Sequence, residues 1–251
     1  MERSSARDNQ RLWTPLYLQV QATLKEMIDN LEFGPGEKIP SERELSEQLG
    51  VSRMTVRRAV EKLVEQGALQ RSSTRGTYVR EPGVVRHIGS IPLEGLSQLL
   101  REEGAVPGSR LMSFEVTRAP RKVAERLNMR VGEPLVVVRR LRLANGEPFC
   151  IETSYLPQAM VPGLAAADLQ EGASLYEILA QRYGIQPAGY ESTLSISPAT
   201  PEEAALLGIR PDCSIMMMRS VVHDTAGRQI EYLKSVNHPD RVVFRATTLQ
   251  S

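Results

Sequence analysis

The chain has 251 residues, of which 41% are hydrophobic and 24% are charged, and its formal net charge is +1 at pH 7. A chain of this length can bury the core of one large domain or of two smaller ones. No stretch approaches the roughly 18 consecutive apolar residues of a membrane span, and the polar start lacks the pattern of a secretory signal. We therefore expect a cytoplasmic protein without a membrane partner.

Cysteine and histidine usage argues against a metal or disulfide protein. Cys150 and Cys213 are too few for a disulfide scaffold and predict buried thiols in a reducing compartment. The three histidines lie far apart, and no Cys, His, Asp or Glu cluster has metal-ligand spacing. We also find no glycine-rich phosphate loop and no internal repeat. The sequence therefore predicts no metal and no other cofactor.

Basic residues are concentrated in one segment despite the balanced total. Residues 51–80 contain seven lysines and arginines against two glutamates, whereas residues 81–251 contain 18 basic and 19 acidic residues. A local basic cluster can neutralise phosphates whatever the rest of the chain carries. The segment is therefore a candidate nucleic-acid contact, and the alternative is a solvated basic face on a plain three-helix bundle.

Three helices are predicted before residue 70, each from an apolar stripe and a capping residue. The first is capped by Thr14, with proline at its first helical position. The second begins at Ser41, where Glu44 completes a capping box, and it ends at Gly50. Ser52 caps the third helix almost at once. Two helices joined by so short a turn indicate a helix-turn-helix.

The third predicted helix and the two short strands after it, at residues 68–71 and 76–79, would form the DNA-reading part of such a motif. The helix keeps its basic side chains off the buried stripe, and its N-terminal N–H groups favour phosphate. The strands form a wing that can reach an adjacent groove. The residues that we expect to contact DNA from this helix are Ser52, Arg53, Met54, Thr55 and Arg57.

Several runs in this region resemble the winged-helix domain of GntR-type bacterial transcription regulators. They are Pro40-Ser41-Glu42-Arg43-Glu44-Leu45, Val51-Ser52-Arg53-Met54-Thr55-Val56-Arg57-Arg58-Ala59 and Arg75-Gly76-Thr77-Tyr78-Val79. The resemblance covers about residues 12–80. It implies that Arg43, Arg53 and Thr55 touch double-stranded operator DNA. It also implies that the wing, with Arg75 and Gly76, approaches the minor groove.

Beyond the break at Glu81-Pro82-Gly83 the pattern changes to mixed strands and helices. We predict helices at 93–103, 121–127, 174–183 and 201–207, and strands at 111–118, 135–143, 149–156, 188–197, 213–223, 229–236 and 242–248. Antiparallel strands with interspersed helices define an α+β fold rather than a doubly wound sheet. The predicted organisation is a DNA-binding domain at residues 10–80, a linker at 81–89 and a second domain at 90–251.

The second domain is similar to the effector-binding (UTRA) domain of the HutC subgroup, whose fold is like that of chorismate lyase. The similarity spans about residues 87–248 and is carried by residues 141–148, residues 152–157 and Ser174-Leu175-Tyr176. It implies a small effector, such as a phosphorylated sugar or a small carboxylic acid. It also implies a homodimer, which would pair two winged helices on a palindromic operator.

Two arginines are the strongest candidates for holding an anionic effector. Arg140 and Arg142 project from the same face of a predicted strand, so two guanidinium groups can converge on a phosphate or carboxylate. The alternative is a solvated strand face or an ion pair with Glu152. The resemblance implies that Ser174 joins the arginines at the phosphate and that Glu152 and Tyr176 meet the rest of the ligand. Other residues expected to line or close the pocket are Gly95, Leu96, Ser97, Glu231 and Tyr232.

The register of one predicted hairpin decides whether Glu152 can reach the arginines. A two-residue turn at Asn145-Gly146 pairs residue 140 with 151 and sends Glu152 to the opposite face. A three-residue loop pairs residue 140 with 150 and returns Glu152 to the arginine face. The resemblance favours the second register.

We therefore expect a ligand-responsive transcription regulator, a repressor released from DNA by its effector, and not an enzyme. One alternative is a chorismate-lyase-like enzyme fused to a DNA-binding domain, although the sequence contains no recognisable nucleophile–base pair. Another is a DNA-binding protein that responds to no effector.

Overall fold

The computed structural model describes residues 14–72, 76–80, 83–88, 95–170 and 172–246. The chain divides into two compact units, residues 1–82 and residues 83–251. Residues 84–88, which the sequence assigns to the linker, form a strand of the second unit because they pair with a strand near the end of the chain. No helix in the described ranges is long and apolar enough to cross a membrane.

The first unit consists of three helices followed by a two-stranded hairpin. The elements are α1 (Leu16–Asp29), α2 (Glu42–Leu49), α3 (Arg53–Glu65), β1 (Leu69–Ser72) and β2 (Gly76–Val79). The predicted capping box is present, since Ser41 accepts from the Glu44 N–H and the Glu44 carboxylate accepts from the Ser41 N–H. The predicted cap of α1 is wrong: Pro15 is its N-cap, because a ψ of 136° places that proline outside the helix.

The second unit has a large antiparallel sheet with helices on both of its faces. Its elements are β3 (Val84–Ile88), α4 (Gly95–Glu102), β4 (Pro107–Arg118), α5 (Arg121–Arg126), β5 (Pro134–Ala144), β6 (Glu147–Pro157), α6 (Leu175–Tyr183), β7 (Pro187–Pro198), α7 (Pro201–Leu207), β8 (Ser214–Asp224), β9 (Gln229–Asn237) and β10 (Val242–Ala246). Six strands form the sheet in the order β4-β5-β6-β9-β8-β7, and β3 pairs in parallel with β10. The predicted α+β class is confirmed.

The two faces of the sheet carry different helices. Leu141 and Ile151 pack in one apolar cluster with Leu207 of α7. Val138 packs in another cluster with Leu179 of α6. Because side chains alternate along a strand, Arg140 and Arg142 lie on the same face as Val138, which is the α6 face.

The second unit contains an internal repeat, although none is evident in the sequence. Four elements of its first half start 80 residues before their counterparts, at Gly95 and Leu175, Pro107 and Pro187, Arg121 and Pro201, and Pro134 and Ser214. Each half is a helix, a strand, a short helix and a strand hairpin, and the halves meet where β6 pairs with β9. At this offset only scattered residues are identical, such as Ala119 and Ala199 or Arg130 and Arg210, which is why sequence inspection does not find the repeat.

The hairpin between β5 and β6 adopts neither predicted register. It has a two-residue turn at Asn145-Gly146, with Ala144 opposite Glu147. A bulge then shifts the pairing by one residue, so that Arg140 lies opposite Glu152. The expectation that a two-residue turn removes Glu152 from the arginine face is therefore wrong, because the bulge restores it.

Candidate functional site

The N-terminal end of α3 presents an exposed polar surface. Arg53 is exposed, and Met54 is 70% exposed although methionine is usually buried. Ser52 Oγ accepts from the Thr55 N–H at 3.2 Å and lies 2.8 Å from Thr55 Oγ1, which places both hydroxyls at the helix end. The first turn contains no acidic residue. The positive end of the helix dipole is therefore uncompensated by local carboxylates.

The basic residues of this unit differ in how much of their charge is free. Arg57 donates to Glu61 at 3.0 Å, and Arg71 of the wing donates to Glu42 at 2.8 Å. Arg43 and Arg53 have no carboxylate partner within the described part of the chain. Exposed pairs of this kind contribute little stability, but they do neutralise part of the local charge. The guanidinium groups of Arg43 and Arg53 are accordingly occupied by no ion pair within the described residues.

A lysine in the segment between α1 and α2, which the sequence does not single out, lies beside the wing. Gly76 begins β2, and a Cβ built on it would lie 2.8 Å from Lys38 Cε. Lys38 is held there by a backbone bridge to Tyr78. No local pattern distinguishes Lys38 from other surface lysines, since its placement depends on that bridge. Arg75, which is predicted to contact DNA, lies outside the described residues.

In the second unit a cavity opens on the sheet face that carries α4 and α6. The structure brings nine of the ten predicted effector residues to its wall, from five different elements and the residue that caps α6. They are Gly95, Leu96, Ser97, Arg140, Arg142, Glu152, Ser174, Tyr176 and Glu231. Within the described ranges no group of three or more His, Cys, Asp or Glu residues could hold a metal ion.

The two arginines share one carboxylate at the bottom of this cavity. Arg142 donates to Glu152 Oε2 at 3.1 Å and to Ser97 Oγ at 2.8 Å. The contact from Arg140 to the same carboxylate oxygen is longer, at 3.4 Å. All three charged side chains are almost completely buried. The ion pair considered as the alternative to a ligand site is thus present, but one carboxylate serves two guanidinium groups.

Several guanidinium nitrogens are left without an acceptor. Nε and Nη1 of Arg140 and Nε of Arg142 are buried and have no hydrogen-bond partner among the described residues. Burial and the adjacent charge of Arg142 lower the pKa of Arg140 to about 10. Unpaired buried donors are costly, and charged ones more so. The unpaired donors and the excess positive charge of this cluster are therefore available to an anion.

The carboxylates of the cavity have opposite pKa shifts. Burial alone would raise the pKa of Glu152, but Arg142 and Arg140 bring it below its ordinary value. Burial raises the pKa of Glu231, which accepts a 2.6 Å hydrogen bond from the Tyr176 hydroxyl. Burial and Glu231 together raise the pKa of Tyr176 well above its ordinary value. The Glu231–Tyr176 pair is therefore suited to neutral polar groups rather than to a second anion.

Helix starts bring two further predicted residues to the cavity. Gly95 begins α4 with a φ of 79°, and a Cβ there would lie 3.2 Å from Tyr176 Cδ2. A side chain at this position would therefore push into the tyrosine ring. Ser174 caps α6 by accepting from the Glu177 N–H at 3.3 Å, and its hydroxyl can still donate.

Tyr232 is not part of the cavity, contrary to the prediction. It is adjacent to Glu231 on β9, so the two side chains point to opposite faces of the sheet. Tyr232 packs near α5, with its ring centroid 5.6 Å from that of Tyr155. Sequence reasoning also missed four lining residues with polar groups, Arg86, His87, Tyr190 and Ser220. Arg86 and His87 lie in β3, which the sequence assigns to a connection.

The cavity wall differs between the two repeats. The first half contributes Arg140, with Glu152 opposite it. At the corresponding place the second half contributes Ser220, with Leu233 opposite it. At this place the first half is therefore charged and the second half is neutral.

Together the two units define a class of protein, a DNA-binding regulator whose second domain takes a small ligand. Comparison with known families agrees. The sequence model of the bacterial regulatory proteins of the gntR family matches residues 16–79, and that of the UTRA domain matches residues 102–243. The chain belongs to the GntR family of transcription regulators and carries a UTRA effector domain.

Individual relatives cover nearly the whole chain. The HTH-type transcriptional repressor NagR of Bacillus subtilis (strain 168) is 33% identical over 230 residues, which are 92% of this chain and 93% of the relative. The regulator GgaR of Escherichia coli (strain K12) is 29% identical over 243 residues, 97% of this chain and 93% of GgaR. The crystal structure of PhnF from Mycobacterium smegmatis matches with a TM-score of 0.64 and 29% identity, over 92% of this chain and 100% of PhnF. These relatives are regulators, and the chain is a transcription regulator rather than an enzyme.

Proposed function

We propose that this regulator is a cytoplasmic repressor that binds a palindromic operator as a homodimer and is released when a small anionic metabolite occupies the cavity. The observation that carries this proposal is the set of buried guanidinium nitrogens of Arg140 and Arg142 that have no acceptor among the described residues. The repressor name of the relative NagR supports the direction of the response.

The charges of the cavity favour an anion. Arg86, Arg140 and Arg142 line it together with two carboxylates, and one of these, Glu231, has a raised pKa. The cavity therefore has a net positive charge. Paired guanidinium groups bind phosphate and carboxylate in bidentate geometry. A phosphorylated sugar or a small carboxylic acid satisfies this requirement.

The remainder of the ligand would lie against uncharged surface. The second half of the wall offers Ser220, Val222 and Leu233, and the Tyr176–Glu231 pair offers hydrogen bonds to hydroxyl or amide groups. A ligand with one anionic end and a neutral polar body therefore fits better than a dianion with charges at both ends. This asymmetry follows from the unequal repeats.

The regulatory mechanism is linkage between two binding sites. An effector with different affinities for two arrangements of the protein shifts the population toward the one that it binds better. If that arrangement spaces the paired winged helices unfavourably for the operator, DNA affinity falls by the same coupling free energy. Two half-sites make the affinity sensitive to spacing, because both recognition helices must fit the major groove together.

A ligand screen with a matched variant tests the proposal. The wild-type protein and Arg140→Met are melted with a panel of phosphorylated sugars and small carboxylic acids. A true effector stabilises the wild type by RT ln(1 + [L]/Kd), about 2.7 kcal/mol at a hundredfold excess over Kd, and has no effect on the variant. A panel with no hit, or hits that persist in the variant, would contradict the anion site. Intact DNA binding with no hit would favour the effector-independent alternative.

A further inference from the structure

A third buried arginine lies on the strand that follows the DNA-binding unit in the chain. Strand β2 of the wing ends at Val79, and β3 begins at Val84, so only residues 80–83 separate them. Arg86 is in the middle of β3, is 8% exposed and lines the cavity. Strand β3 therefore contributes to the cavity wall and also directly follows the connection from the DNA-binding unit.

Among the described residues, the hydrogen-bond partners of Arg86 are neutral. Its Nη1 donates to Ser235 Oγ at 2.7 Å and to Asn237 Oδ1 at 2.9 Å, both on β9. Its guanidinium carbon lies 5.6 Å from the centroid of the Phe244 ring on β10. No carboxylate within ion-pair distance of Arg86 is found in the described residues. A buried cation with neutral acceptors gains when an anion arrives, because charge-assisted hydrogen bonds are the stronger ones.

Strand β3 has a shorter pairing than any strand of the main sheet. It pairs with β10 alone, over five residues, in a separate two-stranded sheet. Arg86 connects it to β9 of the main sheet, and Val84 packs in an apolar cluster with Phe149 and Cys150. A change in the bonds of Arg86 therefore changes one of the few attachments of β3.

We propose that Arg86 couples the cavity to the interdomain connection: an anion held by Arg140 and Arg142 draws the Arg86 guanidinium from Ser235 and Asn237, and β3 loosens or shifts with it. This inference rests on the proposed anion site. In this proposal, β3 is the strand through which anion binding in the cavity affects the connection at residues 80–83. Arg140 and Arg142 thus provide the primary anion site, and Arg86 adds to the binding when it moves and thereby couples the site to β3.

Amide hydrogen exchange on the full-length protein tests the coupling, with inorganic phosphate as the probe. In the wild type, phosphate is expected to raise the melting temperature and to change exchange in residues 84–88 severalfold. In Arg86→Gln, phosphate still stabilises the protein through Arg140 and Arg142, although less than in the wild type because the Arg86 guanidinium is missing, and the exchange of residues 84–88 no longer responds. The matched control is Arg219→Gln. Arg219 lies on β8 next to Ser220, which lines the cavity, and it donates a hydrogen bond to Ser195. The control is expected to respond like the wild type.

The outcomes separate the two proposals. An unchanged phosphate response of residues 84–88 in Arg86→Gln overturns the coupling and leaves the anion site standing. If phosphate stabilises the wild type no more than Arg140→Met, the anion site fails and the coupling fails with it. Ser235→Ala provides a second variant that keeps the arginine. It is expected to raise exchange in residues 84–88 without phosphate, and unchanged exchange there contradicts the coupling.

Discussion

Replacing Arg140 by methionine separates a ligand-binding arginine from a structural one. Methionine keeps much of the aliphatic length of the side chain and removes the guanidinium. In the present arrangement Arg140 makes one long contact of 3.4 Å with Glu152 and leaves two nitrogens unpaired. Glu152 keeps its 3.1 Å bond from Arg142 after the change. We therefore expect the ligand-free protein to lose little or to become more stable.

The magnitude follows from the unpaired donors. A buried polar group without a partner costs about 1–3 kcal/mol. Arg140→Met removes these unpaired donors but also loses the weak contact with Glu152. We therefore expect the free energy of unfolding to rise by between zero and about 2 kcal/mol. For a protein of this size, about 1 kcal/mol corresponds to roughly 2–4 °C in the melting temperature. Arg142→Met is the contrast, because it breaks the bonds to Glu152 and Ser97 and is expected to destabilise by about 3–5 kcal/mol.

Differential scanning calorimetry of the full chain measures both variants. The buffer must contain no phosphate or carboxylate, since either would occupy the cavity in the wild type only. We expect Arg140→Met to melt at or above the wild-type temperature and Arg142→Met well below it. If both variants lose similar stability, Arg140 is a structural ion-pair partner, and the reasoning from its unpaired nitrogens is refuted.

Three further predictions concern the other parts of the molecule. Arg53→Ala should weaken specific operator binding by about 1–3 kcal/mol and leave the melting temperature unchanged. Arg57→Ala should weaken operator binding less, because Glu61 already neutralises part of the charge of Arg57. Equal losses of affinity in gel-shift titrations would contradict this ranking. Ser41→Ala should lower the stability of the first unit by about 1 kcal/mol in urea unfolding, and no change would mean that the capping box is not needed. The pKa of Glu231 is raised in the folded protein. The stability that this shift contributes is therefore complete below the ordinary pKa of 4.5, and it is lost as the pH rises through the higher pKa of the folded state. Glu231→Gln should therefore flatten the fall in stability from acid to neutral pH, and an unchanged pH profile would show that Glu231 does not titrate there.

Local patterns are sufficient to predict most of the secondary structure. The capping box of α2 and the αL glycine at its end act within a few residues, so they are readable in the sequence. The same holds for α7, where Thr200 caps and Pro201 begins the helix. The α+β class follows from the predicted hairpins, because two strands joined by a short turn are antiparallel neighbours and need no long-range information.

The hairpin register could not be predicted, although its turn could. Asn145-Gly146 marks a two-residue turn, and both residues have positive φ values of 53° and 82°. The bulge lies where residues 149–152 are all buried. A strand buried on both faces shows no alternation, so nothing in the pattern reveals which side chains share a face.

Long-range pairing explains the other residues that the sequence analysis missed. Arg86 meets Ser235 across 149 residues of chain, and its strand is a short segment that resembles a connection. Ser220 occupies the place of Arg140 in the second repeat, but a small neutral hydroxyl there gives no sign in the sequence that it corresponds to an arginine. Tyr232 was selected with its neighbour Glu231, and strand alternation allows only one of two adjacent residues to face the cavity.

The most direct test of ligand-controlled DNA binding is a thermodynamic cycle with the full-length protein, its operator and the effector found by the screen. Operator affinity is measured with and without saturating effector, and effector affinity with and without saturating operator. We predict that each ligand weakens the other by the same factor, about 5–150-fold for a coupling of about 1–3 kcal/mol. Equal operator affinity in the presence and absence of bound effector would contradict the central claim, because the cavity and the DNA-binding face would then be independent sites.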